Sequence, residues 1–490
     1  MARSVRFLTL VAVGISVIAP RGQAPPLPFP LLTSTVEIQR LAAAWNSDLP
    51  YVPGEVLVKF KSGAFGRAES RALSVLRGSV DNSATRWAGD ALIVATPDEP
   101  DAALAADRLA AQPEVEWAQP NYLRSIHATP NDPSFPRQWN FELIDLPRAW
   151  DINPGGSADV VIAVIDTGVT TVSTTYELPL WTGSAIEGVP VPFAASPDVS
   201  AGRMLPGRDF VFWSGPPVDM VGHGTHVAGT ALEETNNGLG LAGIAYRSRL
   251  MPLKACYGYW EIQIAQSAAG VPGYVDPRET GTCPDSAVSE AIRYAADNGA
   301  QVINLSLGGP AESPITREAL QYAVNHGVFV AISNGNDAQR GNPVQYPAAY
   351  APAFNGVVSV GAVGANGTRA PYSSTGAHLE LSAPGGDVTL GAAAAIFQVG
   401  LISSDFNAVT VIRPRFERYA EVAMQGTSMA TPHVAGLGAL LYSQGVHSPA
   451  GIESALRKTA RDVGAPGRDD EYGDGLIDAR AALRGLGLAR

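Results

Sequence analysis

The feature that most constrains this chain is a series of apolar segments that alternate with helical segments from Trp139 onward. These segments do not alternate apolar with polar residues, and they include VVIAVID, QVINLSLGG, VFVAISNGN and VVSVGAV. Strands of this composition are buried on both faces, as in a parallel sheet covered by helices on each side. The sequence therefore predicts a three-layer α/β domain with a mostly parallel sheet, whose ligands gather at the carboxyl ends of the strands.

The N-terminus is typical of an export signal. Arg3 and Arg6 precede a short apolar stretch, and small residues follow it. The stretch is shorter than the ~20 residues of a membrane span, and a buried N-terminal helix is the alternative. We expect a signal peptide at residues 1–24, cleaved after Ala24, no membrane association once it is removed, and an extracellular or periplasmic location.

The chain between the signal and the large domain divides into three parts. Residues 25–50 form a Pro-rich spacer. Residues 51–122 contain alternating apolar residues, as in YVPGEVLVKF, and an Ala-rich helical segment, which predicts a small α+β module. Residues 123–131 are rich in Pro, Asn and Ser and predict a linker. The large domain is then expected to span residues 132–490.

Charge and cysteine content limit the possible partners and the possible covalent links of the chain. A formal net charge of -12 over 490 residues leaves no basic stripe to neutralise phosphates, so nucleic acid is excluded as a partner. Only Cys256 and Cys283 are present. Export to an oxidising compartment would let them form a disulfide, and two free thiols are the alternative.

Four polar residues stand where an apolar strand ends or a helix begins, namely Asp166, His223, Asn336 and Ser428. Singly, each is ambiguous, because Asp166 and Asn336 also fit turns and Ser428 also fits a capped buried helix. The pair His223 and His226 suggests a metal site, but no further ligand and no HExxH glutamate accompany it. We therefore disfavour metal at these histidines.

The stretch GTSMATPHVAG, from Gly426 to Gly436, is the most informative of these motifs. Gly426 permits a sharp turn into a helix. Ser428 then stands near the positive end of that helix, where negative charge is stabilised. Pro432 is expected in an early helical turn, where a missing N–H costs little.

Together, Asp166, His223, Asn336 and Ser428 resemble in identity and order the subtilisin-like serine proteases. VINLSLGG, YPAAY and DGLIDA extend the resemblance over residues 132–482. It implies that Ser428 is the nucleophile, His223 the general base and Asp166 the group that orients it, with Asn336 as the oxyanion donor. His226 and the later His433 are then expected to pack locally.

The resemblance also implies how polypeptide substrates bind. An edge strand of Ser306, Leu307 and Gly308 would pair with the substrate backbone. The pocket for the residue before the cleaved bond, P1, would involve Ser333, Asn334, Gly335 and residues 345–347, and the family often favours apolar or aromatic P1 residues. Gln345 stands where many relatives have a small residue.

A structural calcium ion is a further implication, with no cofactor needed for catalysis. The side chains of Asp132, Asp209 and Asn237 and the backbone carbonyls of Glu234, Leu239 and Leu241 match the ligands of thermitase-type members. Such oxygen ligands suit Ca²⁺. An ordinary loop without an ion is the alternative.

Residues 51–122 resemble the inhibitor-type propeptide of these proteases, especially in VPGEVLVKFK and VEWAQPN. The resemblance implies a propeptide that inhibits its own protease domain and is cleaved between Leu123 and Thr129. The expected function is a secreted, self-processing serine endopeptidase that acts as a monomer. Two alternatives remain: a catalytically silent binding protein of the same fold, and an acid-acting sedolisin relative, against which His223 and Asn336 speak.

Overall fold

The computed structural model describes residues 35–46, 51–64, 66–76, 80, 85–88, 90–96, 101–122, 129–182, 184–212, 215–273, 275, 281–402 and 414–485. The chain divides into two compact units, Met1–Arg124 and Ser125–Arg490. This division falls inside the predicted linker at residues 123–131. The expected signal peptide and the bonds between Leu123 and residue 128 lie outside the described residues.

The first unit is a small α+β module. Its elements are α1 (Thr35–Asn46), β1 (Tyr51–Phe60), α2 (Arg67–Leu73), β2 (Arg86–Ala88), β3 (Ala91–Ala95), α3 (Ala102–Ala110) and β4 (Val115–Tyr122). The strands form a sheet in the order β2-β3-β1-β4, with β1 antiparallel to both neighbours. Val56 and Val58 of β1 pack with Leu109 of α3 in one apolar core. Because apolar residues alternate along β1, they lie on one face of the sheet, and helix α3 covers that face.

Helix α1 lies within the segment predicted as a spacer, residues 25–50. The Pro-rich composition of this segment is confined to its first part, and the later VEIQRLAAAW carries helix-forming residues. Arg40 of α1 lies 3.8 Å from the buried carboxylate of Glu55 on β1. The structured part of the module therefore begins before Tyr51.

The second unit contains the remaining elements. They are α4 (Trp139–Leu143), α5 (Leu146–Ala149), β5 (Val161–Asp166), β6 (Thr174–Trp181), β7 (Ile186–Phe193), β8 (Arg208–Asp209), α6 (His223–Leu232), β9 (Arg249–Lys254), α7 (Tyr259–Ala268), α8 (Asp285–Asp297), β10 (Val302–Leu305), α9 (Pro314–Asn325), β11 (Phe329–Ser333), β12 (Val357–Val363), β13 (Leu381–Pro384), β14 (Ile396–Leu401), β15 (Tyr419–Met424), α10 (Thr427–Ser443), α11 (Pro449–Thr459) and α12 (Ala479–Arg484).

A seven-stranded sheet forms the centre of this unit, in the order β13-β12-β11-β10-β5-β9-β8 with every pair parallel. Alternate residues of β5 enter opposite cores: Ile162 and Val164 pack with α6 and α10, whereas Ala163 and Ile165 pack with α8 and α9. Helices therefore cover both faces, which is why both faces of these strands are mostly apolar. The predicted three-layer α/β fold is confirmed.

The strand order changes direction at β5. From β5 the chain adds β9 on one side, and it later adds β10 and β11 on the other. A crevice forms at the carboxyl ends of strands where the order reverses in this way. Asp166 ends β5, Ser306 follows β10, and Asn336 comes shortly after β11, so these three residues meet at the crevice.

Two antiparallel ribbons extend the domain beyond the sheet. Strands β6 and β7 form a hairpin in the long segment between Asp166 and His223, and β14 pairs with β15 just before α10. Phe193 at the end of the hairpin stacks on Phe416, at a ring separation of 5.1 Å, within a separate apolar cluster. The insertion is thus packed into the domain. In the part of the chain described, no helix is both long and apolar enough to cross a membrane.

Candidate active site

The crevice is a cavity of about 600 Å³ that brings together the four polar residues predicted from the sequence. Asp166, His223, Asn336 and Ser428 all line it. They come from the end of β5, the start of α6, the turn after β11 and the start of α10. Residues far apart in the sequence therefore share one solvent-accessible site.

Asp166 and His223 form a directly bonded pair. The buried Asp166 Oδ1 lies 2.7 Å from His223 Nδ1 and also accepts the Thr167 N–H at 2.7 Å. Since a carboxylate only accepts hydrogen bonds, Nδ1 carries the proton and Nε2 keeps its lone pair. The imidazole is thus held in the tautomer that can accept a proton at Nε2.

The charge environment favours the protonated imidazole. Burial of the ring lowers the pKa of His223, but the charge of Asp166, its hydrogen bond and the charge of Asp219 raise it more. The net result is a pKa of His223 above its usual value. A proton taken up by this imidazole is therefore stabilised by two carboxylates.

Asp219 is a site residue that sequence analysis missed. It is fully buried, and its Oδ1 accepts the Thr167 hydroxyl at 3.0 Å and the Gly222 N–H at 2.8 Å. Its Oδ2 accepts both the N–H and the hydroxyl of Thr225, at 3.1 and 2.6 Å. Asp219 therefore ties the turn after Asp166 to the start of α6. Its position four residues before His223, in VDMVGHGTH, is the signal that would have found it.

Close backbone approach brings α6 to the end of β5. A side-chain carbon at Gly224 would stand 2.4 Å from the Gly168 carbonyl oxygen and 3.2 Å from Asp166 Cβ. The Gly224 N–H also donates to the Thr167 hydroxyl at 2.8 Å. Only glycine fits at this position, so the HGTH motif sets the distance between the imidazole and the carboxylate.

Ser428 is the second residue of α10, and Gly426 precedes the helix with a φ of 151°. The Ser428 hydroxyl donates to the Ser306 carbonyl oxygen at 3.2 Å. Within the described residues it makes no hydrogen bond to His223. Catalytic hydrogen bonds are often unformed before substrate binds, so this arrangement leaves a proton transfer between the two residues open.

Pro432 lies deeper in α10 than predicted. The helix begins at Thr427, so Pro432 is its sixth residue and stands inside the helix, outside the first turn. A residue at this place would normally donate its N–H to the Ser428 carbonyl, and proline has none. The Ser306 hydroxyl donates to that carbonyl instead, at 2.8 Å. Pro432 thereby couples the helix start to the end of β10.

Asn336 is anchored through its oxygen. Its Oδ1 accepts the Thr427 N–H at 2.9 Å and the Thr427 hydroxyl at 3.0 Å. The amide nitrogen, Nδ2, is then available to donate into the cavity that Ser428 also lines. Because the first N–H groups of a helix lack intrahelical acceptors, the Ser428 N–H is a second donor near the same place.

Five of the six residues predicted to bind substrate line the cavity: Ser306, Leu307, Gly308, Ser333 and Gly335. Asn334 does not. It is fully buried, and its Nδ2 donates to the Ser374 carbonyl at 2.7 Å, away from the cavity. Successive residues of an extended chain point in opposite directions, so Asn334 supports the wall from behind.

His226 and His433 are both fully buried and bond locally. His226 Nε2 contacts the carbonyl oxygens of Ile396 and Val422, each at 3.1 Å, and burial together with nearby His223 lowers the pKa of His226 to about 4. Burial likewise lowers the pKa of His433 to about 4. In the described residues no group of three or more His, Cys, Asp or Glu side chains is arranged to hold a metal ion.

The expected calcium ligands separate into two places. Asp132 accepts the Asn237 N–H at 3.2 Å, beside the loop that follows α6. Asp209 instead accepts the N–H groups of Val211 and Phe212 at the end of β8, and none of its described contacts reaches that loop. Asp209 is thus not placed with the other expected ligands.

Asp198 occupies the place expected for Asp209. The Asn237 amide donates to Asp198 Oδ1 at 2.7 Å, and the Leu241 N–H lies 3.4 Å from Oδ2. Burial, opposed by these hydrogen bonds and assisted by the charges of Asp132 and Glu234, raises the pKa of Asp198 to about 6. Two buried carboxylates, Asp132 and Asp198, therefore meet the Asn237 side chain at this loop with an excess of negative charge, which suits a hard cation.

Cys256 and Cys283 are joined in a disulfide, and both line the cavity. Beneath this wall, fully buried Lys254 donates to the Thr167 carbonyl at 2.6 Å and to Glu261 at 2.7 Å. The wall on this side of the cleft is therefore attached to the turn that follows Asp166.

Comparison with known proteins identifies both units. Residues 157–475 match the model of the subtilase family, and residues 39–121 match the fervidolysin N-terminal prodomain. The second match includes most of α1, which sequence analysis left outside the module.

Two curated relatives and one solved structure illustrate the similarity. The chain is 33% identical over 426 residues to the thermophilic serine proteinase of Bacillus sp. (strain AK1), covering 86% of each chain. It is 33% identical over 358 residues to thermitase of Thermoactinomyces vulgaris, covering 73% of this chain and 99% of the relative. A protease from Pseudoalteromonas arctica superposes with a TM-score of 0.54 at 29% identity, covering 73% of this chain and 99% of that one. The chain therefore belongs to the subtilase family and is a subtilisin-like serine protease with an N-terminal prodomain.

Proposed function

We propose that this serine protease is a secreted endopeptidase that cleaves polypeptides through an acyl-enzyme and is made as a precursor that processes itself. The observation that carries the proposal is the meeting of Asp166, His223, Asn336 and Ser428 in one cavity, with the carboxylate 2.7 Å from the imidazole. A hydroxyl near neutral pH needs such a base to become a nucleophile.

In the proposed reaction, Ser428 Oγ attacks the substrate carbonyl carbon while His223 Nε2 takes its proton. The Ser428 hydroxyl turns from the Ser306 carbonyl towards the imidazole as the substrate binds. The imidazolium then gives the proton to the leaving amine, and water repeats the sequence on the acyl-enzyme. Asp166 holds the tautomer and stabilises the imidazolium throughout.

The negative oxygen of the tetrahedral intermediate is assigned to two donors. These are Asn336 Nδ2 and the Ser428 backbone N–H at the positive end of α10. Since Thr427 holds the other end of the Asn336 amide, the donor is positioned before the substrate arrives. Such preorganised donors are the largest source of stabilisation in many acyl transfers.

The substrate backbone is proposed to lie extended between two walls of the cavity. Residues 306–308 follow β10 directly and residues 333–335 follow or end β11. An added strand gains affinity from backbone hydrogen bonds with little demand on sequence. This mode suits a protease that cleaves many polypeptides.

The prodomain is proposed to inhibit its own protease domain until cleavage between Leu123 and Thr129. We also propose export through the signal at residues 1–24. The experiment is intact-mass spectrometry of the exported wild type beside Ser428→Ala, with Ser157→Ala as the control variant. Self-processing predicts that the wild type and the control lose about the first 125 residues whereas Ser428→Ala retains its prodomain.

The same experiment separates the alternatives. If all three proteins retain the prodomain, the silent binding protein gains support. If all three lose it alike, another protease performs the processing. Processing and activity only in strong acid would favour the sedolisin-like reaction.

A structural Ca²⁺ is proposed at the loop after α6, held by Asp132, Asp198 and Asn237 with carbonyl oxygens of Glu234, Leu239 and Leu241. The ion would supply positive charge to a loop whose buried carboxylates have an excess of negative charge. The test is the Tm of the Ser428→Ala protein, which cannot digest itself, with Ca²⁺ and with a chelator.

Calcium should raise the Tm of this protein, because an ion that binds only the folded state stabilises it. Adding Asp198→Asn should remove most of the rise, whereas Asp209→Asn, at a carboxylate elsewhere, should keep it. An unchanged Tm in the parent protein, or loss of the rise with Asp209→Asn alone, would argue against this site.

A further inference from the structure

The cavity beside Ser428 contains a slot between two chain segments. Ser333 donates its hydroxyl to the Leu307 carbonyl at 3.2 Å, which brings residues 306–309 opposite residues 333–335. Asn336 follows the second segment directly, and Ser428 bonds to Ser306 in the first. A side chain entering this slot therefore belongs to a substrate residue adjacent to the attacked carbonyl.

Gln345 closes this slot. A side-chain carbon built at Gly335 would stand 2.4 Å from Gln345 Cγ, and one built at Gly308 would stand 4.0 Å from Gln345 Oε1. The glutamine side chain therefore reaches from one wall to the other, and it is only 3% exposed. Backbone hydrogen bonds between Gly309 and Tyr346, at 2.9 and 2.7 Å, attach the same stretch to the first wall.

The position of Gln345 is fixed by further contacts. Its Nε2 donates to Asp337 Oδ2 at 3.0 Å and lies 3.4 Å from the Pro343 carbonyl oxygen. Asp337 in turn accepts Arg340 Nε at 2.7 Å, and its own N–H donates to the Ser374 hydroxyl at 3.0 Å. Moving the glutamine aside would leave its buried amide without these acceptors, which is costly.

The same contacts determine the net charge at the closed end of the slot. Asp337 is the acidic group nearest to the end of the Gln345 side chain, and Arg340 pairs with it. A carboxylate already paired with a guanidinium and an amide offers little to a cationic substrate side chain. At the end that Gln345 closes, the slot is therefore electrically balanced.

We propose that Gln345 determines P1 specificity and restricts this protease to small P1 residues, such as alanine and serine, over phenylalanine, leucine and lysine. The proposal rests on the proposed function of the same site. It departs from the apolar or aromatic P1 residues that the family resemblance implies, because a large side chain would overpack a slot that Gln345 already fills.

The test compares kcat/KM of the mature enzyme for a set of peptide anilides that differ only at P1, with Ala, Phe and Lys. We expect the wild type to favour Ala over Phe and over Lys by at least about tenfold, since one misplaced methylene changes discrimination by about 10- to 200-fold. This measurement needs no variant. A wild type that cleaves after Phe or Lys as well as after Ala would overturn the proposal.

Two variants assign the preference to Gln345. Gln345→Ala should raise the Phe to Ala ratio by at least about tenfold, whereas Gln345→Leu, which keeps most of the volume, should leave it near the wild-type value. Gln321→Ala, on the exposed face of α9, is the matched control. An unchanged ratio in Gln345→Ala, or a ratio raised equally in Gln345→Leu, would contradict a steric role.

Labelling with a fluorophosphonate separates this proposal from the proposed function. Wild type and Gln345→Ala should be labelled, and Ser428→Ala should not. Labelled enzyme with a preference for Phe refutes the specificity proposal alone. Absence of labelling in the wild type refutes both.

Discussion

The two halves of the cleft are held together in different ways. On one side Asp166 and His223 are bonded directly, and buried Asp219 braces the two segments that carry them. On the other side Asn336 bonds to Thr427, the residue before Ser428, and the Ser428 hydroxyl is turned to Ser306. In the proposed mechanism, the base is thus fully arranged in the free protein, whereas the nucleophile completes its arrangement when substrate binds.

Asp166→Asn disrupts the half of the cleft that contains Asp166 and His223, and it should cause the largest loss of activity. The neutral amide would no longer hold the imidazole in the tautomer with a free Nε2, and kcat should fall by about 10⁴-fold. The check is kcat and KM on one peptide substrate, beside Asp159→Asn, an exposed carboxylate that precedes β5. Retention of more than a tenth of the activity would contradict the role assigned to Asp166.

Asn336→Ala tests the second half. Removing one of two donors to the oxyanion should lower kcat by about 10²- to 10³-fold and leave KM nearly unchanged, because the donor acts on the transition state. Asn298→Ala, at the exposed end of α8, serves as the control. If KM rises and kcat does not change, Asn336 binds the ground state and the comparison between the halves fails.

Asp219→Asn sharpens the comparison by testing a supporting residue of the first half. Loss of hydrogen bonds to a charged group, worth about 1.5–3 kcal/mol, should lower kcat/KM by roughly 10- to 100-fold. The acid limb of the pH profile, where activity falls with falling pH, should also move. The proposed base, His223, can accept a proton only when it is neutral, so activity should fall as the pH drops through its raised pKa.

Without the charge of Asp219 the pKa of His223 is lower, and the acid limb should shift to lower pH. A pH profile of kcat/KM measures this shift. Asp297→Asn removes an equal charge from an exposed site and should leave the limb in place. A limb unmoved in Asp219→Asn would reduce Asp219 to a purely structural residue.

Thr427→Val tests the corresponding residue of the second half and should have the smallest effect. It removes the hydroxyl that donates to Asn336 Oδ1 and accepts the Gly335 N–H at 3.2 Å, but it keeps the Thr427 N–H on the same Asn336 oxygen. The bond to Asn336 is the one that positions the proposed oxyanion donor, and one neutral hydrogen bond is worth about 0.5–1.5 kcal/mol, so its loss should lower kcat by about 2- to 10-fold. In the double variant with Asn336→Ala the two losses should be less than additive. Fully additive losses would show that Thr427 acts through Gly335 and not through Asn336.

Much of the fold and the centre of the site follow from the sequence alone. Strands β5, β10 and β11 are mostly apolar on both faces, so the sequence itself indicates that they are strands of a parallel sheet. Asp166 is the last residue of β5, and Asn336 comes shortly after β11. Because the carboxyl ends of parallel strands lie at the same edge of a sheet, these two residues are expected to meet there.

The remaining features depend on packing that local sequence does not reveal. Asp198 and Asp209 both look like loop acids, and only the path of the chain after the β6–β7 hairpin brings Asp198 to the loop after α6. Asp219 supports the site because it is buried, and acidic residues are seldom buried. Its role is therefore not visible in the sequence. The place of Pro432 depends on where α10 begins, and helix ends are the least certain feature of a sequence pattern.

Folding of the cleft also determines when the chain can begin to cleave other proteins of the cell. His223 lies 57 residues from Asp166, and Ser428 lies 122 residues from Ser306. Only a completed parallel sheet brings them together, and such sheets form slowly because their contacts are non-local. A nascent or unfolded chain carries every side chain of the site, yet it has no peptidase activity because these side chains are far apart. The cell that makes it is therefore protected by the topology itself for as long as folding is incomplete.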